Sequence, residues 1–428
     1  MTSTQEVREI LELLNPWWKE SSINQELAKP HKRHIFHKLI ELMDYRQIVI
    51  LSGLRRVGKT TLLYQVIEKL IKEKNPQNVL YFNFDKKSEE IVNILENYQN
   101  HTSVNWKKEK IFVFFDEITR LNEWASKLKL LYDAFPNLKF FISSSGSLSL
   151  EEEAIKNLGG RYFMFNIKPL SFREYLELRG KDSMLKKINL FEKEIREESQ
   201  NYLLRSFPEI VNWKDELLIK DYLRSTIIDK IVKLDLSERF KNLNKDLLEN
   251  LLRLFYSEPG IYLDYDGLSK SLRISKKTLI KHIYYLEFSY LIKRIKNFRV
   301  STLSSLRKLQ RVYAYWWPFD YCYDSHIDKI MENIVISYSE GKNYWRKGGK
   351  EVDLILLNKK EVIPIEVKNK TNLDKEDIKN LIYFLKKNKL KLGYIVYNGE
   401  EKEMKIDNGS GMIKMIPLYK WLLLGGEL

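Results

Sequence analysis

The sequence has one cysteine in 428 residues. Cys322 alone can form neither an intramolecular disulfide nor a cysteine metal cluster, which fits a reducing compartment and predicts a cytoplasmic protein. No apolar run reaches the roughly 18–20 residues that a spanning helix needs, so no membrane partner is expected. The first residues, MTSTQEVREILELLNPWWKE, carry acids and lack the apolar core of a signal peptide. Internal repeats and low-complexity linkers are missing too. Six histidines, His31, His34, His37, His101, His282 and His326, give no convincing transition-metal spacing. HKRHIFH (31–37) reads as the solvated face of a basic helix.

What is present is an apolar content of 44%, enough for sizeable cores, and a net charge of +15. A chain of this length holds two or three domains. The basic balance favours a polyanionic partner such as nucleic acid over a merely lysine-rich surface.

Residues 1–45 read as a helical lead-in broken at Pro16 and Pro30. A short β-branched run, Ile48 to Leu51, then meets a glycine-containing turn and an amphipathic helix. VLYFNFD (79–85), KIFVFFDE (110–117) and LKFFISSSGS (138–147) are nearly continuous apolar runs, as buried strands are. Helical patterns separate them; in LNEWASKLKLLYDAF (121–135) the apolar positions are 121, 124, 128, 131 and 135. Strands alternating with helices predict an α/β fold, a mostly parallel sheet with helices on both faces. After residue 180 the pattern becomes helical and Lys/Glu-rich, and from about 330 it is α/β again. The expected domains are 1–180, 181–300 and 301–428.

Residues 53–60, GLRRVGKT, match the phosphate-binding pattern G-x-x-x-x-G-K-[ST] in full. Gly53 and Gly58 let the loop curl so that the N–H groups of Leu54, Arg55, Arg56, Val57 and their neighbours through Thr61 face phosphates. The helix starting near Lys59 adds the positive end of its dipole. Lys59 reaches the β- and γ-phosphates, and the Thr60 hydroxyl can ligate Mg²⁺. The apolar strand IFVFFDE supplies the acids: Asp116 for Mg²⁺ and Glu117 to polarise an attacking water. An acidic helix cap after a core strand is the alternative for this pair. ATP with Mg²⁺ is therefore the expected substrate and cofactor. Ser144 or Ser145, ending the next strand, could sense the γ-phosphate or merely close a polar turn. Arg161, after a glycine pair, is either a finger completing a neighbour's site in a homo-oligomer or a surface arginine.

GLRRVGKTT, FFDEI, NEW (122–124) and GRYFMFNIKPLSFREYL together resemble the archaeal and bacterial AAA-type ATPases with a GxRRxGKTT loop, a DE strand end and a GR…PLSFREYL segment. SFPEIV (206–211) continues the likeness, with Arg205 and Ser206 where that family usually has glycines. The resemblance covers most of the chain and implies an AAA-like ATPase core followed by a poorly characterised C-terminal domain.

Residues 265–298, YDGLSKSLRISKKTLIKHIYYLEFSYLIKRIKNF, have winged-helix patterning. YDGLSKSL is a first helix and RIS a turn with Ser275 as N-cap; KKTLIKHIYYLEFSYLI is a second helix and LIKRIKNF a wing strand. Lys276, Lys277 and Lys281 stand at the N-terminal end of the second helix, where a recognition helix meets DNA. A protein–protein adaptor with solvated lysines is the other reading.

EVDLILLNKKEVIPIEVK (351–368) places Asp353 on one strand and Glu366 and Lys368 on one face of the next. Two carboxylates can hold Mg²⁺ or Mn²⁺ and an ammonium can activate water. Glu332, on the helix MENIVISY, could add an acid. The pattern resembles the PD-(D/E)xK nuclease fold, with Val352 where that pattern has proline. It implies a metal-dependent nuclease or a nuclease-like fold kept for holding DNA. The whole chain reads as an ATP-hydrolysing machine acting on DNA; the alternative is a nucleotide-dependent switch that binds protein partners.

Overall fold

The apolar runs of the first third form five strands: β1 (Ile48–Ser52), β2 (Val79–Asn83), β3 (Ile111–Asp116), β4 (Leu138–Ser144) and β5 (Tyr162–Asn166). They make one sheet in the order β2-β3-β4-β1-β5, and every pairing is parallel. Parallel neighbours need crossovers, supplied by the helices Lys59–Glu73, Ile91–Thr102, Trp124–Ala134 and Ser147–Leu158. β1, β3 and β4 are buried along their whole length, as their unbroken apolar sequences predict. The computed structural model describes residues 4–145, 147–241, 243–298, 309–358, 361–406 and 411–426. The chain divides into two compact units, Met1–Pro169 and Leu170–Leu428.

The lead-in is helical and broken where the prolines stand, with helices Thr4–Leu14, Trp17–Glu20, Gln25–Ala28 and Ile35–Glu41. It covers the edge of β2, where unpaired backbone groups would otherwise invite another strand. The Asn15 amide donates to Tyr81 O at 2.9 Å and its oxygen accepts from Tyr81 N at 2.7 Å. The Trp17 and Trp18 indoles both donate to Val79 O. HKRHIFH departs from its expected helical register: the helix starts only at Ile35, and Lys32 and Arg33 are half-buried rather than solvated.

The second unit begins with LSFREYL, whose Ser171 and Glu174 form a reciprocal capping box for the helix Phe172–Leu178. Arg205 and Ser206 both have partners. Arg205 donates to Trp213 O and Lys214 O, at 2.8 and 3.0 Å, and Ser206 Oγ accepts from the Trp316 indole at 2.9 Å. A helix–turn–helix follows, Tyr265–Ser271 and Lys276–Phe288, with Ser275 capping the second helix through Thr278 N. Leu279, Ile283 and Leu286 bury its inner face.

Nine strands build the second sheet: β6 (Ile261–Tyr262), β7 (Ile292–Asn297), β8 (Arg311–Ala314), β9 (Asn343–Lys347), β10 (Lys350–Asn358), β11 (Glu361–Lys368), β12 (Leu392–Tyr397), β13 (Lys402–Ile406) and β14 (Gly411–Pro417). Their order is β13-β14-β12-β11-β10-β9-β7-β8-β6, a mixed sheet. β7 and β8 pair antiparallel behind the helix–turn–helix, as a wing does, and β7 also pairs with β9. The sheet thus runs unbroken from the helix–turn–helix into the C-terminal strands. The helices Ile327–Tyr338 and Lys375–Asn388 pack on it.

Candidate functional site

The end of β1 delivers the loop Gly53–Gly58 to the helix Lys59–Glu73, whose N-terminus opens the crevice where phosphate sites form in parallel sheets. Gly53 and Gly58 have φ of 141° and 95°, which side chains rarely adopt. Leu54 and Val57 are buried anchors, while Arg56 is exposed at a φ of 66° and Arg55 half-buried. Lys59 is buried, and its ammonium donates to Gly53 O and Leu54 O at 3.0 and 2.9 Å. Thr60 is the exposed first-turn hydroxyl and Thr61 is half-buried behind it.

The parallel register brings the acids to this loop. Thr60 Oγ1 donates to Asp116 Oδ2 at 2.7 Å. The same carboxylate accepts from the Tyr81 hydroxyl at 2.9 Å, from the Asn83 amide at 3.2 Å and from the Ser143 hydroxyl. Donors from the two flanking strands, β2 and β4, and from the helix after the loop therefore hold Asp116 in one orientation. Glu117, the next residue, lies in the left-handed region at φ 52°, a conformation worth about 1 kcal/mol or more of strain. Its Oε2 accepts from Ser145 N at 2.9 Å and Ser145 Oγ at 3.0 Å. Burial, the largest influence, raises the Glu117 carboxyl above its ordinary range; the Lys59 charge opposes this and the Asp116 charge adds to it. Ser144 instead turns to Thr119 Oγ1, at 2.6 Å.

Sequence reasoning missed Tyr81, Asn83, Ser143 and Arg33. Asn83 is the register partner of Asp116 on the neighbouring strand, a relation that only strand pairing reveals. Arg33 ties the phosphate loop to the segment after β5, donating to Val57 O at 3.0 Å and Lys168 O at 2.7 Å. Arg161 is not brought to the loop. Its carbonyl accepts from Ile48 N at the start of β1, the opposite end of the strand, and its guanidinium grips Asp133 at 2.8 and 3.2 Å.

In the second unit, Lys277 and Lys281 are exposed along the second helix of the helix–turn–helix, and Lys276 pairs with Asp266 at 2.9 Å. The D…ExK residues do converge. Glu366 Oε1 accepts from Lys368 Nζ at 2.7 Å, and Asp353 Oδ2 accepts from Val367 N at 2.9 Å. Burial first, then the Glu332 charge, push Asp353 up to about 6. Burial and the Asp353 charge push Glu366 well above the carboxylate range. Burial works against the Lys368 ammonium, but the two acids hold it above its ordinary value.

The acids of this cluster already have cations of the chain beside them, Lys368 at Glu366 and Arg311 at Glu332. Among the described residues no group of three or more His, Cys, Asp or Glu is placed to hold an ion. Glu332 is taken up by Arg311 at 2.6 Å, by the Tyr313 hydroxyl at 2.6 Å and by Lys329 at 3.5 Å. Glu366 Oε2 is buried without a hydrogen-bond partner.

Three families match parts of the chain: the AAA domain at residues 45–176, and two domains of unknown function, DUF8612 at 196–315 and DUF4143 at 329–421. The chain is similar over nearly its full length to uncharacterized proteins. One from Methanocaldococcus jannaschii is 29% identical, covering 94% of this chain and 93% of the relative. One from Haemophilus influenzae is 26% identical, covering 92% and 98%. Among solved structures, the Aeropyrum pernix ORC2 protein matches with a TM-score of 0.37 and 12% identity over 71% of this chain and 94% of that one. The Aeropyrum pernix ORC1 protein in complex with DNA matches at 0.34 and 11%, over 73% and 96%. Scores of this size say nothing about what the chain binds. Among the described residues no helix is long and apolar enough to cross a membrane.

Proposed function

We propose that this chain hydrolyses ATP with Mg²⁺ and couples the turnover to binding or remodelling DNA. The observation that carries the proposal is the 2.7 Å hydrogen bond from Thr60 to Asp116, beside a strained and anchored Glu117. It supports a phosphate loop and an acidic strand end working as one site. The N–H groups of residues 53–61 hold the phosphates, and Lys59 leaves its loop carbonyls for the β- and γ-oxygens. Thr60 would hold a bound Mg²⁺, which would neutralise phosphate charge, and Asp116, aimed by Tyr81, Asn83 and Ser143, would steady the Thr60 hydroxyl. Glu117 takes the role of orienting and polarising the attacking water, with Ser145 fixing its carboxylate. Arg161 serves a site only in a homo-oligomer, where it would first have to leave Asp133.

DNA contact rests on the exposed Lys277 and Lys281, beside Lys276, and on the net charge of +15. Metal-dependent cleavage forms no part of the proposal. Duplex binding should weaken steeply with salt, because each phosphate contact contributes about −0.9 to the slope of log K against log salt. Changing both Lys277 and Lys281 to alanine should lower affinity about tenfold or more at low salt and flatten that slope by about two. Fluorescence anisotropy on labelled duplex across a salt series measures both. Absence of wild-type binding at low salt, with or without an ATP analogue, would leave the protein-binding switch as the standing account.

A further inference from the structure

The acidic cluster of the second unit has a cation that its sequence motif does not contain. Arg311, on β8, is 3% exposed. Its Nη1 lies 2.6 Å from Glu332 and 2.9 Å from Glu351, and its Nε donates to Gly260 O at 2.9 Å. The guanidinium lies within 5.3–5.7 Å of the rings of Tyr262, Tyr313 and Tyr344, the arrangement in which aromatic faces hold a cation. The chain leaves room for it: a Cβ on Gly260 would stand 2.5 Å from Arg311 Nη2.

We propose that Arg311 is the resident cation of this cluster, filling the charge role that a divalent metal takes in a D…ExK site, so that the site works without metal. Three features agree. A guanidinium stays charged at every relevant pH and cannot step aside by losing a proton. Both oxygens of Glu332, the acid contributed by the helix Ile327–Tyr338, are committed to Arg311, Tyr313 and Lys329. The remaining pair, Asp353 and Glu366, shares Lys368. The guanidinium also joins the wing strand β8 to β10 through Glu351. The cluster therefore fastens the helix–turn–helix to the C-terminal strands rather than cutting phosphodiesters.

The test titrates the full-length, nucleotide-free protein with Mn²⁺ and follows the free-ion signal by electron paramagnetic resonance. Wild type and an Asp353→Asn/Glu366→Gln double variant should bind Mn²⁺ identically, with no site that depends on the cluster. Arg311→Met, which removes the internal cation, should gain about one site, and adding Asp353→Asn should remove it again. Arg311→Lys should keep the ion out. A wild-type Mn²⁺ site lost in the double variant overturns the proposal, and so does a folded Arg311→Met that gains nothing. If circular dichroism shows that Arg311→Met does not fold, the comparison of wild type with the double variant decides by itself.

Discussion

Glu117→Gln should bind ATP as the wild type does and turn it over at least about a hundredfold more slowly, the scale of a lost general base. The substitution keeps size and shape. A glutamine oxygen can still accept from Ser145 N and Oγ, which hold the carboxylate at 2.9 and 3.0 Å. What disappears is the charge that draws a proton from water. That charge stands where burial raises the carboxyl's proton affinity, a shift that favours a base. Nucleotide titration by calorimetry and phosphate release under saturating Mg-ATP separate the two effects. Turnover within a few fold of wild type would move catalysis to another residue.

Gly53→Ala should cost far more than Gly58→Ala, although both are glycines of one motif. At Gly53 an added Cβ would meet Ile167 O at 2.2 Å, and the φ of 141° is outside what a side chain tolerates. Neither partner can yield cheaply: Ile167 N donates to Ser52 O at 2.7 Å, so loop and backbone are stitched together on both sides. The phosphate loop must distort, and nucleotide affinity should fall by about a hundredfold or more, with a loss of several kcal/mol of stability typical of a backbone clash. At Gly58 nothing lies within 4 Å of the same atom, and only the positive φ opposes alanine, worth about 1–2 kcal/mol. Thermal melting and nucleotide titration of the two variants check the order. Equal effects would mean that the close approach to Ile167 does not matter.

Four strands of the first sheet were legible because each is a short, almost uninterrupted apolar run bounded by a glycine, an acid or a lysine-rich turn; the fifth, β5, is only partly buried and was not read from the sequence. The phosphate loop was legible because its chemistry is local: eight consecutive residues carry it. The residues that complete the site were not, because they meet across strands. Tyr81, Asn83 and Ser143 reach Asp116 only once β2, β3 and β4 lie side by side. Arg33 sits in a basic stretch that looks solvated, and its burial depends on loop carbonyls that no pattern displays. The D…ExK residues converge as their alternation predicts. Arg311, which pairs with Glu332, belongs to a different strand, and its reach is invisible in the motif. Arg161 shows the same limit from the other side: a glycine pair before an arginine says nothing about which end of β1 the arginine meets.

The central claim is that ATP is hydrolysed at the loop around Lys59, and one comparison tests it most directly: phosphate release from Mg-ATP by wild type and by Lys59→Ala, prepared identically. The loop's own carbonyls hold the Lys59 ammonium in place, at 3.0 and 2.9 Å, and removing an ammonium from developing phosphate charge is worth about 10²-fold or more in rate. The account predicts steady release by wild type and loss of binding or turnover in Lys59→Ala. Release by Lys59→Ala at the wild-type rate would contradict it.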